Sequence, residues 1–277
     1  MKILVTGHEG FIGQNMMKHL TDQDHDVEGY EWNDGVLPEV KGFDCVIHLG
    51  AISATTERDV EKIMTQNYEF SYRLLMLCNE HGVDMHYASS ASVYGNAEQD
   101  TELGYSEECP LAPQSPYAWS KYLFDRLVLK SLDRLSIKVY GFRYFNVYGP
   151  HEEHKGFQAS LYSKWTANKG PHDLFDVSSE VLRDFVHVED LCKIHSIFLD
   201  SPHIESGIYN LAAGKPTNVG RLAALMEARA GVEFNTVPMP EELKSQYQFS
   251  TRANAIKLQM TLGQYTFRDI ERFSTGL

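Results

Sequence analysis

Apolar positions along the first half of the chain alternate between two spacings. Lys2-Ile3-Leu4-Val5 and Cys45-Val46-Ile47-His48-Leu49 are unbroken runs of strand length, whereas 11–21 repeats its apolar residues at helical intervals. The pattern predicts strands at 2–6, 26–31, 44–50, 83–89 and 136–142, and helices at 11–21, 57–81 and 116–133. Strand followed by helix, repeated, implies βαβ crossovers and a doubly wound parallel sheet with helices on both faces. The second half is less regular. Loops rich in His, Gly and Pro at 149–156 and 169–173 flank a helix near 157–168. A strand at 207–211 and a helix near 218–230 then look like a last return to the sheet.

Composition narrows this picture without changing it. Hydrophobic residues make up 43% and charged residues 23%, ordinary globular usage that leaves no case for disorder. No apolar run approaches the ~20 residues of a membrane span, and the chain enters a strand at once, without room for a signal peptide, so the expected location is the cytoplasm. Cys45, Cys78 and Cys192 lie in mixed apolar stretches and read as core residues; Cys109, before Pro110, has no assigned role. A net charge of -13 argues against nucleic acid or an anionic membrane as partner. An anionic substrate would need a local basic pocket set against that field.

The first candidate chemistry is a glycine loop. Gly7, Gly10 and Gly13 stand three apart in Gly7-His8-Glu9-Gly10-Phe11-Ile12-Gly13, directly after the first strand and opening the first helix. Glycine is needed there for a tight turn, for approach of a pyrophosphate to the backbone, and for close helix–strand packing. The helix N-terminus then favours the anion. Glu31, at the end of the second strand, can accept hydrogen bonds from an adenosine ribose and repels a 2′-phosphate, which favours NAD over NADP. The fold expected is therefore α/β and Rossmann-like, with a dinucleotide-binding domain over 1–156 to which 186–232 returns. A small C-terminal substrate-binding lobe, 157–185 with 233–277, would lie over the C-terminal edge of its strands.

The second is Tyr117-Ala118-Trp119-Ser120-Lys121, which puts a phenol and an ammonium on one helix face. Taking a hydroxyl proton while a hydride leaves the same carbon needs a base near neutrality, and free tyrosine titrates near ~10. The Lys121 ammonium is expected to bring it down. Ser90, in Ser89-Ser90-Ala91-Ser92-Val93-Tyr94-Gly95, ends a strand and can hydrogen-bond both the reacting hydroxyl and the tyrosine oxygen.

These residues resemble the extended short-chain dehydrogenase/reductase family of NAD-dependent epimerases and dehydratases. Leu49-Gly50-Ala51-Ile52-Ser53, Thr55-Thr56-Glu57, Gln66-Asn67-Tyr68, Gly141-Phe142-Arg143-Tyr144-Phe145-Asn146-Val147-Tyr148-Gly149-Pro150, His154-Lys155-Gly156, Arg183-Asp184-Phe185-Val186 and Tyr247-Gln248 carry the likeness over nearly the whole chain. His-Lys-Gly singles out the ADP-glycero-manno-heptose 6-epimerase branch. The resemblance implies a tightly bound NAD or NADP and a nucleotide-diphosphate sugar as substrate, epimerised by internal redox in a homo-oligomer. It further implies Tyr117 and Lys155 as the two acid/bases, Ser90 orienting substrate, and Lys121 orienting cofactor and Tyr117. Phe11, Ile12, Leu49, Gly50, Ala51, Ser53, Asn67 and Val147 would line the cofactor; Asn146, Phe175, Ser178, Arg183 and Tyr247 the nucleotide-sugar.

Three departures bear on the substrate. Phe157 stands where the branch has a small serine, Lys164 where it has a substrate-contacting histidine, and Val177 where it has a glycine. Only about a dozen residues separate the second strand from the one at 44–50, so the usual strand-three unit is missing and a shortened sheet edge with a more exposed adenine is expected. A 4-epimerase or reductase on a related sugar, or a non-catalytic dinucleotide sensor, remain as alternatives. His151-Glu152-Glu153-His154 lacks a metal-binding spacing, and no metal is expected. His48 reads as a hydrogen-bonded core histidine, and the aromatic run from Tyr140 to Tyr148 as sheet packing.

Overall fold

The first apolar run forms β1 (Lys2–Thr6), which turns through the glycines into α1 (Phe11–Thr21) and returns as β2 (Asp26–Tyr30). β3 (Cys45–His48), β4 (Asp84–Ser90), β5 (Val139–Tyr144) and β9 (Gly207–Leu211) complete a six-stranded sheet of order β2-β1-β3-β4-β5-β9. Strands β1 to β5 pair in parallel register. This computed structural model describes residues 1–54, 57–98, 102–152, 160–241 and 247–273. No strand or helix lies between Tyr30 and Cys45, so β2 is the last strand on its side.

The long helix expected over 57–81 begins at Val60, where the Asp59 carboxylate accepts from the Lys62 N–H. It runs as α2 (Val60–Ile63), passes through a π-helical segment (Met64–Glu69) and continues as α3 (Phe70–His81), ending at Gly82 with φ 68°. α4 (Pro116–Ser131) is capped by the Ser115 hydroxyl, which accepts from the Ala118 N–H. Alternation along β4 and β5 sorts the two faces of the sheet. Met85, Tyr87 and Val139 pack with Phe70, Leu74, Leu75, Phe124 and Val128 of α3 and α4. Tyr140 and Phe142 pack on Phe198 of α6 (Val188–Leu199). The aromatic run thus builds core.

The chain divides into two compact units: 1–95, 111–144 and 191–209 in the first; 96–110, 145–190 and 210–277 in the second. The division differs from the expected boundaries. Residues 145–152 and α7 (Val219–Ala230) belong to the second unit, because β6 (Asn146–Tyr148) pairs with β8 (Leu182–His187) and α7 packs its Leu222, Ala223 and Met226 around Phe185 and Tyr148. In that unit β8 also pairs with β10 (Pro216–Asn218) and β12 (Ser250–Thr251), and β7 (His172–Phe175) pairs with β11 (Phe234–Val237). Among the described residues no helix is long and apolar enough to cross a membrane.

Candidate active site

The glycine loop is built by close approach. Gly7 has φ +72°, and a Cβ on it would lie 2.6 Å from Gly50 Cα. A Cβ on Gly13 would meet the Gly7 carbonyl oxygen at 2.1 Å, so the first turn of α1 rests directly on the loop. Glu31 stands where β2 ends and accepts from the Glu9 N–H at 2.8 Å, with His8 Nδ1 3.3 Å away. A hollow of about 120 Å³ opens beside these residues, lined by Thr6, Gly7, Glu31, Gly50, Ala51 and Gln66 among others. Phe11 is buried, Ile12 half-buried, and Ser53 exposed.

Tyr117, Lys121 and Asp125 follow one another at single-turn intervals on α4. Ser90, whose oxygen accepts from the Ser92 N–H, stands beside the Tyr117 phenol and acts to favour phenolate. Lys121 Nζ lies 6.0 Å from the Tyr117 ring centre and donates to the Ala88 carbonyl at 2.8 Å. Burial lowers the Lys121 ammonium to about 8, partly opposed by the charge of Asp125. The sequence alone has this ammonium bringing the phenol down. In the protein burial decides instead, and the Tyr117 phenol is held above its ordinary value despite Ser90.

Asp125 is fully buried and accepts from Tyr87 Oη at 3.0 Å and from Arg143 Nε at 2.9 Å. Arg143 also donates to Tyr94 Oη at 2.9 Å. Burial works against the guanidinium, but Asp125 and Tyr94 more than restore it, and it stays charged.

A second network links the turn after β3 to the same helix. Ser71 Oγ donates to the Asn67 carbonyl at 2.5 Å, so at its 2.8 Å contact with His48 it must accept, and His48 Nε2 carries the proton. Nδ1 then accepts from Thr6 Oγ1 at 2.6 Å, which itself accepts from the Gly50 N–H. Asn67 clamps both the N–H and the carbonyl of Ile52 and donates to Ser120 Oγ, which donates to the Tyr117 carbonyl. The π-helical segment places Asn67 to do this.

In the second unit the Asn146 side chain donates to the Asp184 carbonyl and to Thr251 Oγ1, each at 3.0 Å. Val147 is half-buried on β6, Lys164 lies on the short helix Leu161–Ala167, and Ser178 on a 3-10 turn. Burial lowers the Lys164 ammonium, against Glu152. Phe175 meets the Tyr247 ring edge-on at 6.2 Å, and the Arg183 guanidinium lies 5.4 Å over Tyr247. Arg183 donates to the carbonyls of Leu182 and Phe249. Among the described residues no carboxylate pairs with it, and burial lowers its pKa. A partly desolvated guanidinium with neutral partners is suited to an anionic ligand. Lys155 and Phe157 lie outside the described residues.

The sequence profile of the NAD dependent epimerase/dehydratase family matches residues 3–212. The chain belongs to that family. An ADP-L-glycero-D-manno-heptose-6-epimerase of Alkalilimnicola ehrlichii is 35% identical over 97% of this chain and 94% of its own length. Among solved structures, the Helicobacter pylori ADP-L-glycero-D-manno-heptose-6-epimerase is 25% identical with a TM-score of 0.85, covering 99% of this chain and 94% of its own. The Thermotoga maritima UDP-glucose 4-epimerase, at 21% identity and a TM-score of 0.85 over 99% and 96% of the two chains, shares the fold.

The residues present fit this family's NAD. The Gly7–Gly13–Gly50 cradle admits no Cβ, its loop opens onto a helix N-terminus, and a carboxylate stands at the ribose end. Sequence reasoning missed Asp125, Arg143, Tyr87 and Tyr94. The signal was there in part: an arginine inside a buried strand needs an acid, and Asp125 continues the four-residue spacing of Tyr117 and Lys121.

Proposed function

We propose that this chain is a nucleotide-sugar epimerase of the heptose 6-epimerase type, working by transient oxidation of one sugar carbon. The observation that carries the reading is Lys121 Nζ beside the Tyr117 ring, one helical turn on, with Ser90 next to the phenol, in the unit that holds the glycine cradle. NAD supplies the hydride acceptor, and in reduced form the hydride donor. Tyr117 takes the hydroxyl proton of the reacting carbon, and Ser90 holds that hydroxyl and the phenol in register. Lys121 orients Tyr117 and the nicotinamide ribose. Arg183 anchors the diphosphate while Asn146, Phe175, Ser178 and Tyr247 hold the rest of the nucleotide-sugar. Lys155, by resemblance, is the acid/base on the opposite face, and Phe157 and Lys164 adjust the sugar pocket. Glu31 disfavours a 2′-phosphate, so NAD rather than NADP is bound. The enzyme works in the cytoplasm as a homo-oligomer, with exposed Tyr72, Trp119 and Leu129 on α3 and α4 facing a second copy.

The test is incubation with ADP-, GDP- and UDP-sugars in deuterated water, followed by NMR of the sugar protons. Inversion of one carbon without deuterium uptake there is expected, and the position inverted separates a 6-epimerase from a 4-epimerase. Uptake of label would replace hydride transfer by enolisation. Tyr117→Phe should cut turnover by on the order of 10²–10⁴ while NAD stays bound; turnover near the native rate would remove Tyr117 as the base.

A further inference from the structure

In the usual dinucleotide fold the sheet continues past the second strand, and that continuation walls the adenine. Here β2 is the last strand, and residues 31–44 connect it to β3 without regular structure. What stands at the open edge is Trp32. Its ring is braced edge-on by Phe70, 5.2 Å between centres at 62°, and Phe70 in turn stacks with Tyr30 at 6.4 Å and 11°. The loop behind it is fixed from two sides. The Tyr30 hydroxyl donates to the Val36 carbonyl, and Arg73 donates to the Gly35 carbonyl at 3.1 Å, bringing Gly35 against the indole. Trp32 is nevertheless half-exposed.

The exposed part faces two hollows. One is the hollow of about 120 Å³ beside Gly7 and Glu31; the other is an open cleft of about 280 Å³ whose floor is Asp59, Glu61, Lys62 and Thr65. Trp32 and Gln66 are the residues common to both linings. For a dinucleotide whose adenosine ribose meets Glu31, Trp32 is the next residue along, between the two hollows. A rigid aromatic plane next to a polar amide matches a purine, which has a π-face to cover and hydrogen-bonding edges to satisfy.

We propose that Trp32, with Gln66, is the adenine subsite of this chain, a single-residue replacement for the wall that the absent third strand unit provides elsewhere. The inference rests on the dinucleotide part of the functional reading and adds to it the residue that sets cofactor affinity. On this reading the adenine loses one wall and gains an indole.

The experiment uses purified full-length protein freed of nucleotide, titrated with NAD, ADP and nicotinamide mononucleotide while tryptophan emission and binding heat are recorded. NAD and ADP should quench the emission and nicotinamide mononucleotide should not. Trp32→Phe should abolish most of the quench but keep NAD affinity within about threefold, because a ring remains. Trp32→Ala should weaken NAD and ADP by on the order of 10-fold, the range of base–aromatic stacking by alanine substitution, at unchanged thermal melting. Undiminished quenching in Trp32→Phe, or unchanged NAD affinity in Trp32→Ala, overturns the subsite and leaves the epimerase reading standing. Failure of the native protein to bind NAD at all overturns both.

Discussion

Three histidines are held neutral inside the first unit, and this fixes how the protein responds to acid. Burial brings His48 to about 3, helped by the charge of Lys121, and brings His86 to about 3. Burial, then His86 and His19, holds His195 well below the ordinary value. Geometry agrees. His86 and His195 face each other through their Nδ1 atoms at 3.1 Å, where one donates and one accepts, and protonating both would oppose two N–H groups. The unfolded chain takes these three protons near ~6.5 and the folded chain does not. Each histidine therefore leaves stability intact above about pH 6.5 and removes it as pH falls below that, down to about 3 for His48 and His86, at ~1.4 kcal/mol per pH unit. Asp184 works the other way. Burial raises its carboxyl to about 7, so below that pH the folded chain holds a proton the unfolded chain releases. Three protons against one give a net loss of ~2 kcal/mol between pH 7.5 and 5.5. Urea denaturation at the two pH values measures it, and His48→Gln isolates one share. Glutamine keeps a donor and an acceptor but cannot titrate, so its loss over the same interval should be smaller by ~1.4 kcal/mol. Equal losses in the two proteins, or a native protein that gains stability on acidification, would refute the reasoning.

Two other substitutions probe the site. Asp125→Leu should cost about 3–5 kcal/mol in urea unfolding by stranding the Arg143 guanidinium, and adding Arg143→Met should recover much of it; additive losses would mean the pair is not a unit. Arg183→Ala should raise KM for the nucleotide-sugar roughly 10- to 100-fold with kcat little changed, because a charge-assisted contact to the diphosphate is made equally in ground and transition states. A fall in kcat at constant KM would move Arg183 to the reacting end.

How much of this was readable without coordinates follows from what short-range pattern encodes. β1, α1 and β9 fall where the spacing puts them, because each is one uninterrupted apolar period with its turn residues in place. β6, β8 and β10 were missed. β6 and β10 last three residues each, and the places of all three strands are set by pairing with one another across 32 to 39 residues. The place of α7 is not legible for the same reason, since it has an ordinary amphipathic pattern and only its packing on Phe185 shows which unit it joins. In the site, Gly7 and Gly13 were legible because steric exclusion acts over a handful of residues. His48 was legible as a satisfied core histidine but not as the joint between Thr6 and Ser71, 23 residues on.

The charge on Tyr117 shows where the limit lies. A spacing of four fixes that phenol and ammonium share a helix face, but not how deeply the face is buried, and depth decides the sign. Lys121 is 6% exposed and binds a carbonyl, so its own charge is only marginally held. Asp125, the next residue on the face, would support it more strongly had its carboxylate not been taken by Arg143 at 2.9 Å. What remains to favour phenolate in the protein alone is the Ser90 hydroxyl, and burial outweighs it. Tyr117 is therefore a phenol at rest. A further positive charge beside it, such as an oxidised nicotinamide, would favour the phenolate. On the proposed role of Tyr117, proton abstraction would in this way be tied to the cofactor state that can accept a hydride.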